Sequence, residues 1–326
     1  MATRRQFIGQ MSAFALAVSA QGFAADEMLG PKTTHTAPDF KVPKGACDCH
    51  VHCIGPRDKF PLVADRQYTP DVAPVEDLAR HLKVLHLDRV VIVHPSFYGT
   101  DNRSTLYGIR KLGLKRARGI AVVAANTKQS ELEDLHRQGI RGVRLNVETG
   151  GTNDPKILIS QLQHLAEVVA PLKWHVQIYT NLAMIGALGD VIPKLPVPVV
   201  FDHFGSLKTN KGMQQPGLPL LLDLVKSGKV YVKLSAPYRI SDLPGYTDAG
   251  AFVNAMVSAN PERVLWGSDF PHTFPGPGKK RTREGIEHFW PEDDGLALNR
   301  MARWVPQPDR LKKLLVQNPE RLYFFA

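Results

Sequence analysis

Two short segments near opposite ends of the chain carry side chains suited to acid–base chemistry on a carbonyl group. His50 and His52 close an apolar run, and Asp269 follows a second apolar run late in the chain. Because side chains alternate along a strand, we expect Asp48, His50 and His52 to share one face. Two imidazoles directed at one point, with a carboxylate at the end of a late strand, can polarise a carbonyl and activate water.

The three cysteines of the chain, Cys47, Cys49 and Cys53, stand beside these histidines. The same alternation places them on the face opposite His50 and His52, which argues against a zinc site built from both residue types. Two cysteines two positions apart on one strand face are also poorly placed for a disulfide. We therefore expect small buried residues behind the site.

Eight apolar, β-branched runs recur along the chain at intervals that leave room for a helix. Amphipathic helical patterns occupy positions 76–85, 129–138, 156–170, 218–226 and 248–258. Eight strand–helix repeats predict an α/β fold of the (β/α)8 TIM-barrel type, which typically takes about 250 residues. We assign residues 45–326 to one barrel domain. The predicted strands are 46–52, 89–94, 118–124, 140–147, 174–179, 197–202, 230–234 and 264–267.

In such a barrel, binding and catalytic side chains lie at the C-terminal ends of the strands and in the loops that follow. This rule selects a dense set of polar residues, among them Ser96 as a substrate-binding candidate. Histidines on helical stretches, and one early in the fifth strand, are expected to be surface, boundary or structural residues instead. The strand-end candidates are His50, His52, His94, Ser96, Arg144, Asn146, Tyr179, Asp202, His203, Ser235, Arg239, Asp269 and His272; the other histidines are His81, His86, His136, His164 and His175.

Residues 1–25 resemble a twin-arginine export signal. Arg4 and Arg5 precede a mildly apolar run at 11–20, and small residues follow near Ala24. The run is too short to span a bilayer, which needs roughly 20 apolar residues. We expect export to the periplasm, a Pro- and Thr-rich lead-in at 26–44, and no membrane span once the signal is removed.

The charge pattern bears on the partners of the protein. The chain has 41 basic and 31 acidic residues, but no block of five or more like charges. That pattern argues against a nucleic-acid-binding tail, whereas the cationic surplus favours anionic small molecules. Nothing in the sequence specifies an oligomeric state.

A series of short motifs, taken together, resembles one family. Their order from about residue 45 to the C-terminus is similar to that of the amidohydrolase superfamily, and within it to the lactone-hydrolase branch that contains the 2-pyrone-4,6-dicarboxylate lactonases. The motifs include His50-Val51-His52, Ile54-Gly55-Pro56, Gly99-Thr100-Asp101-Asn102, Arg141-Gly142-Val143-Arg144, Asp202-His203-Phe204-Gly205, Gly267-Ser268-Asp269-Phe270-Pro271-His272 and Asn318-Pro319-Glu320-Arg321-Leu322-Tyr323.

The resemblance implies roles for individual residues. Asp269 would take a proton from the attacking water, while three histidines would hold the lactone carbonyl and stabilise the oxyanion. Four further residues would bind carboxylate or hydroxyl groups of a small anionic lactone. The histidines are His50, His52 and His203; the binding residues are Tyr68, Arg144, Tyr179 and Arg239.

The metal-dependent members of the superfamily place another histidine at the end of strand five, and some place a lysine on strand four. Here strand five ends in Tyr179, and strand four carries Arg144 and Asn146. This departure favours chemistry without a cofactor. A divalent metal such as zinc remains the alternative, because His50, His52, His203 and Asp269 supply enough ligands for one.

A second departure concerns the substrate. The pyrone-dicarboxylate lactonases have a basic pair shortly after the strand-four arginine, whereas this chain has Glu148 and the glycines 150 and 151. A monocarboxylate, sulfonated, muconolactone-like or sugar-acid lactone is then as consistent with this sequence as a dicarboxylate lactone. The basic loop 275–283 is either a charged cover for an anion or a solvated loop.

Four activities therefore remain open at this point. The leading one is a periplasmic lactone hydrolase of aromatic or sugar-acid catabolism. The enzymatic alternatives are a metal-dependent amidohydrolase or decarboxylase and a lactone isomerase. The alternative outside catalysis is an exported solute-binding protein.

Overall fold

Eight short strands pair in parallel, each with the next along the chain. The computed structural model describes residues 35–149 and 154–325. All eight predicted strands are present, and helices alternate with them, so the TIM-barrel prediction is confirmed. The strands are β1 (Cys47–Val51), β2 (Arg89–Val93), β3 (Ala117–Ala121), β4 (Ile140–Asn146), β5 (His175–Tyr179), β6 (Val199–Phe201), β7 (Val230–Ser235) and β8 (Val264–Gly267).

The five predicted helices are also found, with ends shifted by no more than one residue. The remaining helices were not assigned from the sequence. One of them, α2 (Arg103–Leu112), has Gly108 in its centre, although glycine is a poor helix former. The structure gives a reason for this glycine: a Cβ there would lie 2.7 Å from the Ile92 side chain on β2. The helices are α1 (Val75–Val84), α2 (Arg103–Leu112), α3 (Gln129–Arg137), α4 (Pro155–Val169), α5 (Leu182–Ala187), α6 (Leu218–Lys226), α7 (Ala249–Ala259), α8 (Asp294–Trp304), α9 (Pro308–Lys312) and α10 (Asn318–Tyr323).

The first and last strands approach each other where the chemistry is expected. The amide of Asp269 donates to the carbonyl of His50 at 2.9 Å, and the amide of His52 donates to the carbonyl of Phe270 at 2.7 Å. Gly267 permits this approach, since a Cβ there would lie 2.7 Å from the Cβ of His50. The contact holds the His50–His52 segment against Asp269.

The regular alternation expected for β1 is wrong. The pairing of β1 with β2 shifts register between Asp48 and Val51. As a result Cys47 and Cys49 pack inside the barrel with apolar residues of β2, β3, β6, β7 and β8, while Asp48 turns outward and contacts His81 on α1 at 3.0 Å. The cysteines are nonetheless buried and unbridged, as expected.

The lead-in is attached to the barrel through its described part. The amide of Thr36 donates to Asp293 at the start of α8 (2.9 Å), and the amide of Asp39 donates to Asn299 within it (2.9 Å). The predicted export signal at 1–25 lies outside the described residues. Within 35–149 and 154–325, none of the helices has the length and apolar character needed to cross a bilayer.

Candidate active site

The candidate site lies at the C-terminal end of the barrel, where the loops bring the selected residues together. His50 lies in β1, and His52 follows that strand directly. His203 follows β6, and Asp269 follows β8. All four side chains are at least 95% buried. They lie together at the centre of the barrel mouth. The predicted binding residues surround them: Tyr68, Ser96, Arg144, Tyr179 and Arg239.

One carboxylate oxygen of Asp269 is the centre of this arrangement. Its Oδ1 lies 3.6 Å from Nε2 of His50, 3.7 Å from Nε2 of His52 and 3.7 Å from Nε2 of His203. These separations are too long for direct hydrogen bonds, and Oδ1 accepts no hydrogen bond from the described residues. The three imidazoles therefore surround an acceptor oxygen that can receive a proton.

The other ring nitrogens have partners that orient the imidazoles. Nδ1 of His52 lies 2.8 Å from the carbonyl of Val93, so Nδ1 carries the proton and Nε2 of the neutral ring is an acceptor. Nδ1 of His203 lies 2.9 Å from the Ser235 hydroxyl, which can donate or accept. His203 can thus present a protonated Nε2 while remaining neutral, and burial lowers its pKa to about 3.

The second carboxylate oxygen of Asp269 is already bound. Its Oδ2 accepts from Arg239 Nη2 at 2.7 Å and Nε at 3.0 Å, and from the Tyr238 hydroxyl at 2.6 Å. Burial alone would raise the pKa of Asp269, but the Arg239 guanidinium and nearby imidazoles hold that pKa well below its usual value. The backbone at Asp269 is left-handed, with φ of 70°, a conformation that costs a non-glycine residue about 1–3 kcal/mol and is typical of functional sites.

A second buried carboxylate, that of Asp202, binds several side chains at the base of the site. Arg144 donates to its Oδ2 at 3.0 and 3.2 Å, and Gln177 donates to the same oxygen at 3.1 Å. Its Oδ1 lies 3.2 Å from Nδ1 of His50 and 3.7 Å from Lys233 Nζ. Asp202 therefore fixes His50 and Arg144, and burial lowers the pKa of Lys233 to about 8.

Sequence reasoning missed three residues of these networks: Gln177, Lys233 and Tyr238. A usable signal existed for Lys233, because a lysine stands within the fully buried strand β7. For Gln177 the signal was a polar residue in the middle of β5, also buried. No sequence signal existed for Tyr238, since a tyrosine in a short turn after β7 has no distinguishing pattern.

Two predicted histidine placements need correction. His81 is fully buried rather than at the surface or the boundary, and it bonds to Asp48. His94, a strand-end candidate, turns away from the centre: its ring nitrogens contact Thr105 on α2 and the carbonyl of Gly99. His175, in contrast, is buried near the start of β5 as expected, without contact to the catalytic group.

His81 belongs to a buried chain of polar contacts behind the site. Nδ1 of His81 lies 3.3 Å from Asp294 Oδ2, and the same oxygen lies 3.1 Å from Nε2 of His272. Nδ1 of His272 in turn lies 3.5 Å from the Tyr238 hydroxyl. Contacts thus run from α1 and α8 to the Tyr238 hydroxyl, which donates to the Asp269 carboxylate.

The cavity above Asp269 is small and cationic. It measures about 20 Å³, enough for one water molecule. Its lining contains the guanidinium groups of Arg144, Arg239 and Arg281, against the single carboxylate of Asp269. Two of these arginines, Arg144 and Arg239, already bind buried carboxylates, so their predicted contact with substrate requires them to share or exchange those partners.

The donor atoms also fit a divalent cation. His50, His52 and Asp269 offer ligand atoms within 4.8 Å of one another, as do His50, Asp202 and His203. Nε2 of His50 and Oδ1 of Asp269 are buried with no hydrogen-bond partner in the described structure. Imidazole and carboxylate ligands in this number suit zinc.

A parallel barrel with histidines after β1, a histidine after β6 and an aspartate after β8 defines a class of hydrolytic barrel enzymes. The sequence profile of the Amidohydrolase family matches residues 47–325. The chain belongs to this family and is a hydrolase.

Three characterised relatives cover nearly the whole chain. The 2-pyrone-4,6-dicarboxylate hydrolase of Comamonas testosteroni is 35% identical, over 88% of this chain and 92% of its own. The 4-sulfomuconolactone hydrolase of Rhizobium radiobacter is 33% identical, over 90% and 95%. The D-galactarolactone isomerase of Agrobacterium fabrum is 28% identical, over 90% and 95%.

Solved structures agree with this placement. A probable 2-pyrone-4,6-dicarboxylic acid hydrolase from Acinetobacter baumannii, with citric acid bound, has a TM-score of 0.73 and 28% identity, covering 86% of this chain and 100% of its own. An amidohydrolase from Burkholderia multivorans with bound zinc has a TM-score of 0.64 at 17% identity, covering 86% and 99%. The second likeness shows the fold alone.

Proposed function

We propose that the protein opens the lactone ring of a small anionic substrate by adding water to the ester carbonyl. The observation that carries this proposal is Asp269, whose Oδ1 faces three imidazole nitrogens while Oδ2 is held by Arg239 and Tyr238. The lactone-hydrolase relatives support the same reaction class.

The water is placed and deprotonated by residues of β1 and β8. It donates one hydrogen to Asp269 Oδ1 and the other to Nε2 of His52, which is an acceptor because its Nδ1 bonds to a carbonyl. As the water oxygen bonds to the carbonyl carbon, its proton passes to Asp269. The low pKa of Asp269 keeps the carboxylate ionised at neutral pH, so Oδ1 is available as the acceptor.

The carbonyl oxygen is stabilised from the opposite side. His203 presents a protonated Nε2 when the Ser235 hydroxyl donates to its Nδ1, and this N–H donates to the developing oxyanion. The ring C–O bond then breaks, and the proton held by Asp269 passes to the leaving oxygen. The products are a carboxylic acid and a hydroxyl group, so the atoms of one water are gained. The acid then loses its proton to solvent and becomes a carboxylate, which is the acid release that a pH indicator detects.

We propose that this reaction needs no metal ion. Arg239 already neutralises Asp269, and Lys233 Nζ lies 3.4 Å from Nδ1 of His50, which disfavours a further cation nearby. If zinc binds, His50, His52, His203 and Asp269 would hold it, and it would lower the pKa of a bound water. With or without zinc, the same residues would orient the water and the carbonyl group.

A lactone isomerase is the second candidate, favoured by the D-galactarolactone isomerase relative. One experiment separates the two. Purified protein is screened against pyrone-carboxylate, muconolactone-type and sugar-acid lactones in ¹⁸O-labelled water, with a pH indicator and mass spectrometry. Acid release with one ¹⁸O in the product supports hydrolysis, whereas a rearranged lactone without label supports isomerisation. Tight binding of a lactone that yields neither product would contradict both reactions for that lactone.

A further inference from the structure

The loop that follows β8 covers the cavity and is joined to the loop that follows β1. The hydroxyl of Thr69 donates to the carbonyl of Arg283 at 2.8 Å, and the amide of Glu287 donates to the carbonyl of Thr69 at 2.8 Å. These contacts connect the two loops beside the cavity, which Tyr68 and Arg281 line. Residues 279–280 of the same loop are exposed lysines, which line an open cleft of about 690 Å³ beside the cavity.

Arg281 is the residue of this loop that reaches the cavity. Its guanidinium lies 3.9 Å from the centre of the Tyr68 ring. Nη1 contacts Glu287 Oε1 at 2.6 Å, and Nη2 donates to the carbonyl of Thr273. The guanidinium lines the same cavity as Asp269. Stacking on an aromatic ring keeps the planar donor group in a fixed orientation.

The partner of Arg281 differs from the partners of the other two arginines in the cavity. Asp202 and Asp269 are completely buried on the barrel itself, whereas the Glu287 side chain is 9% exposed and lies on the covering loop. An anion in the adjoining open cleft, which Arg281 and Arg239 also line, can therefore replace Glu287 more easily than it can replace Asp202 or Asp269. Arg281 is the cation best placed to exchange its partner for a substrate group.

We propose that Arg281 binds a second anionic group of the substrate, a carboxylate or sulfonate remote from the lactone carbonyl. The inference rests on the proposed function and deepens it by naming the residue of this chain that would distinguish doubly from singly anionic lactones. A guanidinium group can donate two parallel hydrogen bonds to two oxygens of a carboxylate, and likewise to two of the three oxygens of a sulfonate. The exposed lysines beside the cavity would attract the same ligands.

The test compares Arg281→Met with Arg283→Met, a matched control that removes the same charge from an exposed position of the same loop. Calorimetry measures binding of citrate, a multiply charged anion that is not a lactone, and of 2-hydroxyisobutyrate, which carries one carboxylate. Loss of a charged hydrogen-bonded partner should weaken citrate binding by about tenfold to a hundredfold in Arg281→Met. Binding of the monoanion, and citrate binding by Arg283→Met, should stay within about twofold of wild type.

Kinetics with a pyrone dicarboxylate and the matching monocarboxylate provide the second arm. Arg281→Met should raise KM for the dicarboxylate by a similar factor and leave the monocarboxylate unaffected. Unchanged citrate binding, or equal losses for mono- and dianions, would overturn the assignment. If Arg281→Met does not fold, Arg281→Lys decides the matter, because it keeps the charge but loses the two-pronged contact.

The two proposals fail separately. Citrate binding that depends on Arg281, in a protein that hydrolyses none of the lactones, would refute the lactonase function and leave the anion site intact. Lactone hydrolysis that is indifferent to Arg281 would refute the anion site and leave the lactonase function intact.

Discussion

Replacing His81 with glutamine should remove a large pH-dependent part of the stability. His81 lies between Asp48 of β1 and Asp294 of α8, at 3.0 and 3.3 Å. Burial opposes the charged imidazole, but the contacts with Asp294 and Asp48 outweigh burial and raise the pKa of His81 from 6.5 to about 9. The neighbouring titratable groups on the lead-in and the loop after β8 are His35 and His272.

The sign and size of the effect follow from this shift. A histidine whose pKa is higher in the folded state stabilises the fold fully below pH 6.5, and that stabilisation is lost as the pH rises through 9. At about 1.4 kcal/mol for each pH unit between the two values, the contribution is about 3 kcal/mol. The pKa of Asp294 lies well below 3.8, so its own contribution stays constant over this range.

Urea unfolding between pH 6 and 9.5 measures the effect, with the buried residues Trp174 and Trp266 as fluorescence probes. The free energy of unfolding of the wild type should fall by about 3 kcal/mol more than that of His81→Gln across this range. His86→Gln, at an exposed position next to α1, is the control and should follow the wild type. Parallel pH profiles for wild type and His81→Gln would refute a charged His81.

Four further predictions address the chemistry and the N-terminus. Asp269→Asn should fold normally and lose ~10²–10⁴-fold in kcat; retention of more than about a tenth of wild-type kcat would exclude Asp269 as the base. Arg239→Met should lower kcat more than it raises KM, because Arg239 holds Asp269; a change confined to KM would assign Arg239 to the substrate. Dialysis against a strong chelator should leave activity intact, with far less than one metal per chain by elemental analysis; stoichiometric zinc whose removal abolishes turnover would contradict this. Changing Arg4 and Arg5 to lysine should leave uncleaved protein in the cytoplasm; wild-type protein found there with its N-terminus intact would contradict an export signal.

The sequence was sufficient to predict the barrel because parallel strands buried on both faces are nearly continuous apolar runs. It was insufficient for β1, where a register shift between Asp48 and Val51 breaks the alternation. No local pattern marks that irregularity, since it arises from pairing with β2. The sequence therefore placed Asp48 on the same face as His50 and His52, whereas in the structure Asp48 contacts His81.

For the candidate site, the sequence could place residues at the barrel mouth but could not show which of them contact one another. Arg144 and Arg239 were both expected to bind substrate, and both lie where that expectation puts them. Their carboxylate partners, however, come from β6 and β8, and the choice between them depends on distances across the barrel. The covering arginine, Arg281, was recognised only as part of a basic loop.

The contacts also distinguish the two buried aspartates, which the strand-end rule treats alike. Asp202 is surrounded by Arg144, His50 and Lys233 and does not line the cavity. Asp269 does line it, with Oδ2 held by Arg239 and Oδ1 left as an acceptor. A general base must be within reach of the proton that it removes. Only Asp269 of this pair meets that condition, so we expect Asp269 to act as the base and Asp202 to fix His50 and Arg144 around the reacting groups.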